Sequence, residues 1–317
     1  MRAHPAAGDA SLPRRLSRLA RASLLGRWWR KVRGPLWLVP ALALVSFSVV
    51  YPLLRSVYIS FFNWQISDFQ GGTFAGLKNF AKIPKDHLFI QAIGNTLVFA
   101  LSSVAIAFTL GLALALVIAS LPPRFEVLRA IFLIPWVLPG AVVGLFAVFF
   151  FDQEVGLLNL TLAKLHIGTP HFAWLSNATT AMPSVVSMNV WAQIPFFLLI
   201  FTAALTAIPH ELREAMRIDG ATPLQELRYL TLPYLRNVMV IVSLVAFIGN
   251  INNFGLIWTM TQGGPASATT TLAVYIYQLA FQVFDFGYSS ALGVVWLLAV
   301  MVIAALYIRL LRRDALS

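Results

Sequence analysis

Residues 210–233 read His210-Glu-Leu-Arg-Glu-Ala-Met-Arg-Ile-Asp-Gly-Ala-Thr-Pro-Leu-Gln-Glu-Leu-Arg-Tyr-Leu-Thr-Leu-Pro233, a polar island between two apolar walls. All four acidic residues between Glu154 and Asp285 are in it: Glu211, Glu214, Asp219 and Glu226. Residues 167–209 and 237–284 carry no Asp, Glu, Lys or Arg at all. Each wall is long enough to cross lipid and the island is too polar to enter it, so the island is a loop between two membrane passages. The loop has its own grammar. Pro209 closes the wall, and His210 to Asp219 has helical spacing. Gly220 can take the left-handed conformation that ends a helix. Thr222 is an N-cap with Pro223 at the first helical position and Gln225 three residues on, the pattern of a capping box. Leu224 and Leu227 share one face of this second helix, and Leu232-Pro233 leads into the next passage. The expected form is helix, glycine corner, helix, with the small residues Ala215 and Ala221 leaving room for another protein to approach.

The rest of the chain fits a membrane setting. Its 317 residues are 59% hydrophobic and 11% charged, against about 25% charged in soluble domains. About 20 apolar residues span a bilayer core, and six stretches qualify, near 36–54, 92–119, 130–151, 181–207, 237–258 and 287–308. The fourth holds Pro183 and Pro195, which neighbouring helices can accommodate. Nothing large enough for a soluble domain is left over. The expected organisation is a basic tail over 1–34, disordered or lying on the lipid surface, and a six-span domain over 35–313 with its central loop at 208–234. A first apolar run this long argues for a retained span and against a cleaved signal peptide. With the N-terminus inside, eighteen Lys and Arg fall on the inner face and five (Arg55, Lys78, Lys82, Lys85 and Lys164) on the outer. That bias places both termini and the island in the cytoplasm. The net charge of +11 is therefore a topology signal, and no nucleic acid is expected as a partner.

The chemistry that is missing narrows the function. Without Cys there are no disulfides, thiolate metal sites or cysteine nucleophiles. A mid-membrane charge is costly and is kept mainly where ions or protons move, and the second to sixth spans hold none, which disfavours an ion-coupled secondary carrier. There is no G-x-x-x-x-G-K-[ST] phosphate loop. An intramembrane enzyme would need buried acids, paired His or a Ser-Lys pair within the spans, and these are absent; no catalytic residue is expected. His4, His87, His166, His171 and His210 are scattered, and are read as loop residues and not as metal ligands. If the chain moves a solute uphill, the energy enters through a contact surface, and the island is the surface on offer.

Polar side chains inside spans need partners. Asn250 and Asn253 stand three apart on one face of the fifth span, with Asn252 on a neighbouring face. Gln193 lies beside a proline in the fourth, near Trp191 and Phe196. Amides that both donate and accept, beside rings that stack on sugar faces, suit a neutral saccharide. The competing reading is hydrogen-bonded glue between helices. Gly140-x-x-x-Gly144 in the third span permits close helix approach and reads as packing.

Glu214-Ala215-x-x-x-Asp219-Gly220-Ala221 followed by Leu232-Pro233 resembles the EAA loop of bacterial binding-protein-dependent ABC importers. One departure is Met216, where that family usually carries a second Ala. Tyr51-Pro-Leu-x-x-Ser56-x-Tyr58-x-Ser60-Phe61, Phe74-x-Gly76-Leu77-x-Asn79-Phe80, Asn95-Thr96, Pro135-x-x-x-Pro139 and Gly263-Gly264-Pro265 through Tyr277-x-x-Ala280-Phe281 are similar to its carbohydrate-uptake branch. Gly249-Asn250-Ile-Asn252-Asn253-Phe254 looks like the larger permeases of maltose-type systems and their trehalose and glycerol-phosphate relatives. The resemblance implies an all-α polytopic membrane protein of the type I ABC importer permease fold, with six transmembrane helices. It implies a plasma-membrane subunit that binds no cofactor itself, ATP and Mg being held by two ATP-binding partner subunits. A second homologous permease and an extracytoplasmic solute-binding protein complete the expected assembly. Glu214, Ala215, Asp219, Gly220, Ala221, Leu232 and Pro233 would then couple to the ATPase, and Gln193, Phe196, Asn250 and Asn253 would contact sugar. Glycerol 3-phosphate or a phosphodiester is the alternative cargo, disfavoured by the lack of a membrane Arg or Lys.

Overall fold

The computed structural model describes residues 38–68, 72–120, 127–167 and 171–314. The tail expected over 1–34 lies outside the described residues. The chain divides into two compact units, Met1–Tyr58 and Ile59–Ser317. The first contributes nearly all of α1 (Val39–Ile59), an apolar helix none of whose residues is buried. A π turn at Ser46–Val50 interrupts it, just ahead of Pro52. Proline lacks an N–H and its ring crowds the carbonyl four residues back, and a wider turn relieves both problems.

The second unit opens with a short hairpin, β1 (Phe62–Asn63) against β2 (Thr73–Phe74), with Phe62 opposite Phe74. In α2 (Lys78–Lys82) the buried Asn79 donates to the Ser60 and Phe62 carbonyls at 3.0 and 2.9 Å and pins the hairpin in place. The helices that follow are α3 (His87–Ala119), α4 (Val127–Val137), α5 (Gly140–Phe150), α6 (Leu157–Lys164) and α7 (Ala178–Thr206). Then come α8 (His210–Ile218), α9 (Pro223–Ile251), α10 (Gly255–Thr261), α11 (Leu272–Phe281) and α12 (Phe286–Asp314). Among the described residues five helices, α1, α3, α7, α9 and α12, are long and apolar enough to cross a membrane, and the α4–α5 pair makes a sixth passage when its two bent halves are taken as one span.

Two of the six passages differ from the sequence expectation. The stretch near 130–151 reads as one span, but the helix axis turns by 106° between α4 and α5. Pro139 stands at the break with an extended ψ of 142°, and the residue before a proline is pushed out of the helical region. The stretch near 237–258 also reads as one span. The structure stops α9 at Ile251, leaves Asn252 and Asn253 outside helix, and restarts at α10. At its other end α9 begins earlier than expected. The second helix of the island and the fifth span are a single rod, joined through a π turn at Leu227–Thr231 just before Pro233.

The core runs along α3 and α7, the most extensively packed pair. Phe108 meets Phe197 and Phe201 edge-on with centroids 5.8 and 5.1 Å apart. Gly111 makes the approach possible, since a Cβ there would lie 2.5 Å from the Phe197 Cβ. In lipid no hydrophobic force draws helices together, so such close contacts carry the association. The Gly140-x-x-x-Gly144 pattern serves the same purpose between α5 and α10. A Cβ on Gly144 would come within 2.8 Å of the Thr259 Cβ and 3.0 Å of the Leu256 carbonyl. Gly144→Leu should therefore lower stability by about 1–3 kcal/mol, read as a fall in the thermal midpoint of the solubilised protein. An unchanged midpoint would mean that α5 and α10 do not meet this way.

Asp86 knots α3, α11 and α12 together. Its carboxylate caps α3 by accepting from Leu88 N and Phe89 N, and it also accepts from the Tyr275 and Tyr288 hydroxyls, each at 2.7 Å. Burial raises the Asp86 pKa, but the hydrogen bonds from Tyr275, Tyr288, Phe89 and Leu88 outweigh it and hold the carboxyl below its ordinary 3.8. A folded-state value below the unfolded one contributes stability at higher pH that is lost as pH falls through the folded value. Asp86→Ala should cost about 2–4 kcal/mol at neutral pH, from a lost cap and two orphaned hydroxyls. The deficit relative to wild type should narrow in melts below about pH 4.

Candidate functional site

The corner is built as its residues dictate. At the end of α8, Ala221 N donates to the Met216 carbonyl at 2.9 Å and Gly220 N to that of Arg217 at 3.1 Å, a Schellman closure. It needs the left-handed φ of +76° at Gly220. A Cβ there would touch nothing, so the glycine is required for its backbone and not for space. Thr222 and Gln225 then form the reciprocal capping box that opens α9. Arg213 Nη2 donates to the Leu205 carbonyl at 3.1 Å, and Tyr234 OH to that of Ala207 at 3.0 Å. These bonds fasten the corner to the end of α7. Arg213 Nε stands 3.9 Å from Glu226, an ion-pair distance too long for a hydrogen bond.

Outward the corner presents Ile218 and Leu224, 85% and 72% exposed, together with Tyr229 and the exposed carboxylate of Glu214. Glu214, Ala215, Asp219, Gly220 and Pro233 are all exposed, while Ala221 and Leu232 are half-buried. Large apolar side chains on a charged, rigid tip have the makeup of a contact surface. His210 lies 3.3 Å from Glu214, and far along the chain His171 lies 3.1 Å from Glu154. Each is a solvent-facing pair. Among the described residues, no three His, Asp or Glu gather to hold a metal.

The second site lies where the two broken passages meet. A cleft of roughly 480 Å³ is lined by Pro135, Trp136, Gly140, Asn189, Gln193 and Asn253, among others. Irregular backbone at membrane depth is tolerated where it lines a cavity, and here the breaks at Pro139 and at Asn252-Asn253 do so. Four amides run across it in a row. Asn253 donates to Asn189 at 3.2 Å, Asn189 to Asn250 at 2.8 Å, and Asn250 to Gln193 at 3.1 Å. Asn250 is only 3% exposed and forms the interior link between α7 and α9. Among the described residues, the outer ends of the row, Gln193 Nε2 and Asn253 Oδ1, have no protein partner, so one free donor and one free acceptor are left beside the cleft. The structure thus joins three of the four residues expected to contact sugar. The fourth, Phe196, is half-buried and packs on the cleft-lining Trp136 with centroids 5.9 Å apart. Trp191 stacks on Phe146 at 5.6 Å. Sequence reasoning missed Asn189. Its signal was the four-residue spacing from Gln193, which puts both amides on one face of α7.

Five helices long enough to cross a membrane, a bent apolar pair beside a polar cleft, and a stiff charged corner are the makeup of a polytopic membrane protein. Similarity to known proteins agrees. A permease chain of the bacterial alginate ABC transporter, solved in complex with an alginate pentasaccharide-bound periplasmic protein, superposes with a TM-score of 0.75 at 22% identity, covering 91% of this chain and 98% of that one. A chain of the inward-facing MetNI methionine ABC transporter gives 0.53 at 21% identity, over 73% and 97%. The family described as "Binding-protein-dependent transport system inner membrane component" matches residues 107–316, and the chain belongs to it. It is a multi-pass inner-membrane protein. The sulfoquinovosyl glycerol transport system permease SmoG of Agrobacterium fabrum is 35% identical over 91% of this chain and 95% of its own. The trehalose/maltose permease MalF of Thermococcus litoralis is 29% identical over 89% and 95%. The diacetylchitobiose permease NgcF of Streptomyces coelicolor is 31% identical over 84% and 78%.

Proposed function

We propose that this chain is one permease half of an ATP-driven sugar importer. A second, homologous permease completes the path, a pair of ATPase subunits grips the 210–233 corner from the cytoplasm, and an external binding protein delivers the sugar. Closure of the ATPase pair draws the corners together and rocks the passages, so that the cleft between α4, α5, α7 and the break before α10 opens outward and then inward. The observation that carries the sugar reading is the amide row. It ends in an unspent donor and an unspent acceptor beside aromatic rings and without a single charge, which suits hydroxyl groups and disfavours an anionic cargo. The carbohydrate systems named for the relatives support the same class.

The test is purification of the tagged, full-length chain from its own membranes. Mass spectrometry should find a second permease and an ATPase subunit with it. In proteoliposomes with a matching binding protein, one of maltose, trehalose or diacetylchitobiose should enter only when ATP is supplied. Accumulation of sugar by the lone chain under a proton or sodium gradient would overturn the proposal.

A further inference from the structure

Behind the corner, on the side away from its exposed apolar tip, lies a second polar chamber. It is bounded by the end of α3 (Leu116, Ala119 and Ser120), Leu205 near the end of α7, Arg213 and Arg217 on α8, and Pro223, Glu226, Leu227 and Thr231 at the start of α9. Its volume is about 800 Å³ including the open mouth. Neither the corner's contact surface nor the amide cleft uses it. We propose that this chamber is an anion site that takes a phosphate group.

Three observations carry the inference. Arg213 and Arg217 are one helical turn apart on α8, so both guanidinium groups reach the same space. The Arg213 Nε is shielded from solvent and has no hydrogen-bond acceptor. Among the described residues its acidic neighbour is Glu226, 3.9 Å away, so a donor in a low-dielectric place is left unspent. Arg217 is exposed and, among the described residues, has no ion pair. The second observation is the charge balance. Among the described residues that line the chamber, two arginines face one carboxylate, leaving one positive charge, which a singly charged phosphodiester would close. The planar fork of arginine matches phosphate oxygens two at a time. The third is depth. Two spans, α3 and α7, end at this chamber, which sets it near the level of phospholipid headgroups. A bound phosphate would brace α8 against the ends of α3 and α9, and so stiffen the seat of the corner.

The phosphate has two possible sources, a lipid headgroup or a soluble ester, and one experiment separates them. The full-length chain is placed in nanodiscs of phosphatidylcholine alone or with phosphatidylglycerol, and in detergent with inorganic phosphate or with chloride at equal ionic strength. Its thermal midpoint is then measured. We expect a rise of about 3 °C with the phosphate-bearing anion. Arg217→Gln should abolish that rise while leaving the midpoint in phosphatidylcholine unchanged, and Arg217→Lys should keep part of it. A rise with phosphatidylglycerol alone assigns the site to lipid, and a rise with inorganic phosphate assigns it to a soluble group. No rise under either condition, or one that Arg217→Gln retains in full, overturns the site.

Discussion

Gly220→Val is expected to leave the protein in the membrane and reduce sugar uptake to background. The left-handed φ of +76° costs a residue with a side chain about 1–2 kcal/mol, and a β-branched one suffers most. The Schellman closure that points α8 away from α9 would reopen, and Ile218, Leu224 and Glu214 would lose their common presentation. Because a Cβ at this position meets no neighbour, the damage is confined to the backbone angle. Gly220→Ala should therefore fall between wild type and valine. Glu214→Lys probes the same surface without touching the fold, since this carboxylate is exposed and its protein contact is the exposed His210. Reversing a charge in a docking interface costs on the order of 2–5 kcal/mol of association, which would cut uptake by more than about 30-fold. Membrane abundance by immunoblot and ATP-dependent uptake in vesicles are the two readouts. Normal uptake by both Gly220→Val and Glu214→Lys would remove the corner from the transport mechanism.

The second large effect belongs to the amide row, where uptake and melting are read together on two variants. Gln193→Ala together with Asn253→Ala removes the free donor and acceptor beside the cleft. Uptake should drop by roughly 10- to 100-fold, two lost hydrogen bonds at about 1.4 kcal/mol or less each. The thermal midpoint should fall as well, because the buried Asn250 Nδ2 loses its acceptor on Gln193 and Asn189 Oδ1 its donor on Asn253. Asn250→Ala acts at the buried link. It strands the Asn189 and Gln193 groups that Asn250 now satisfies, and should lower stability by about 1–3 kcal/mol as well as transport. If the double variant transports sugar normally and only melts earlier, the amides are glue between helices and the cargo binds elsewhere.

Much of this architecture is legible in the residues because local chemistry and global fold agree. Gly220, Thr222 and Gln225 specify their own turn and cap, and no distant contact is needed to form them. The five long apolar helices follow from apolar length alone. The bends were less legible. Hydropathy sees Pro139 and Asn252-Asn253 as minor interruptions of apolar runs, because a break in direction leaves average hydrophobicity unchanged. Proline tolerance within α7, where Pro183 and Pro195 sit inside a continuous helix, shows that the residue alone does not decide. Pro139 breaks the chain where α5 must turn to pack its glycines on α10, a tertiary demand absent from the local pattern. Asn189 and Asp86 were missed for the same reason. Each gains its meaning from partners 61 and 64 residues away in the one case and 189 and 202 in the other.

The uninterrupted course of α9 has a mechanical corollary. Its 29 residues make a rod of roughly 43 Å, with the capping box at one tip and Asn250 close to the other. Tilting such a shaft by 10° about its lower pivot would swing the upper tip by roughly 7 Å, more than enough to pull Asn250 out of reach of Asn189 and Gln193. The π turn ahead of Pro233 is the one soft joint along its length, so the faithfulness with which the stroke arrives depends on how little that joint yields.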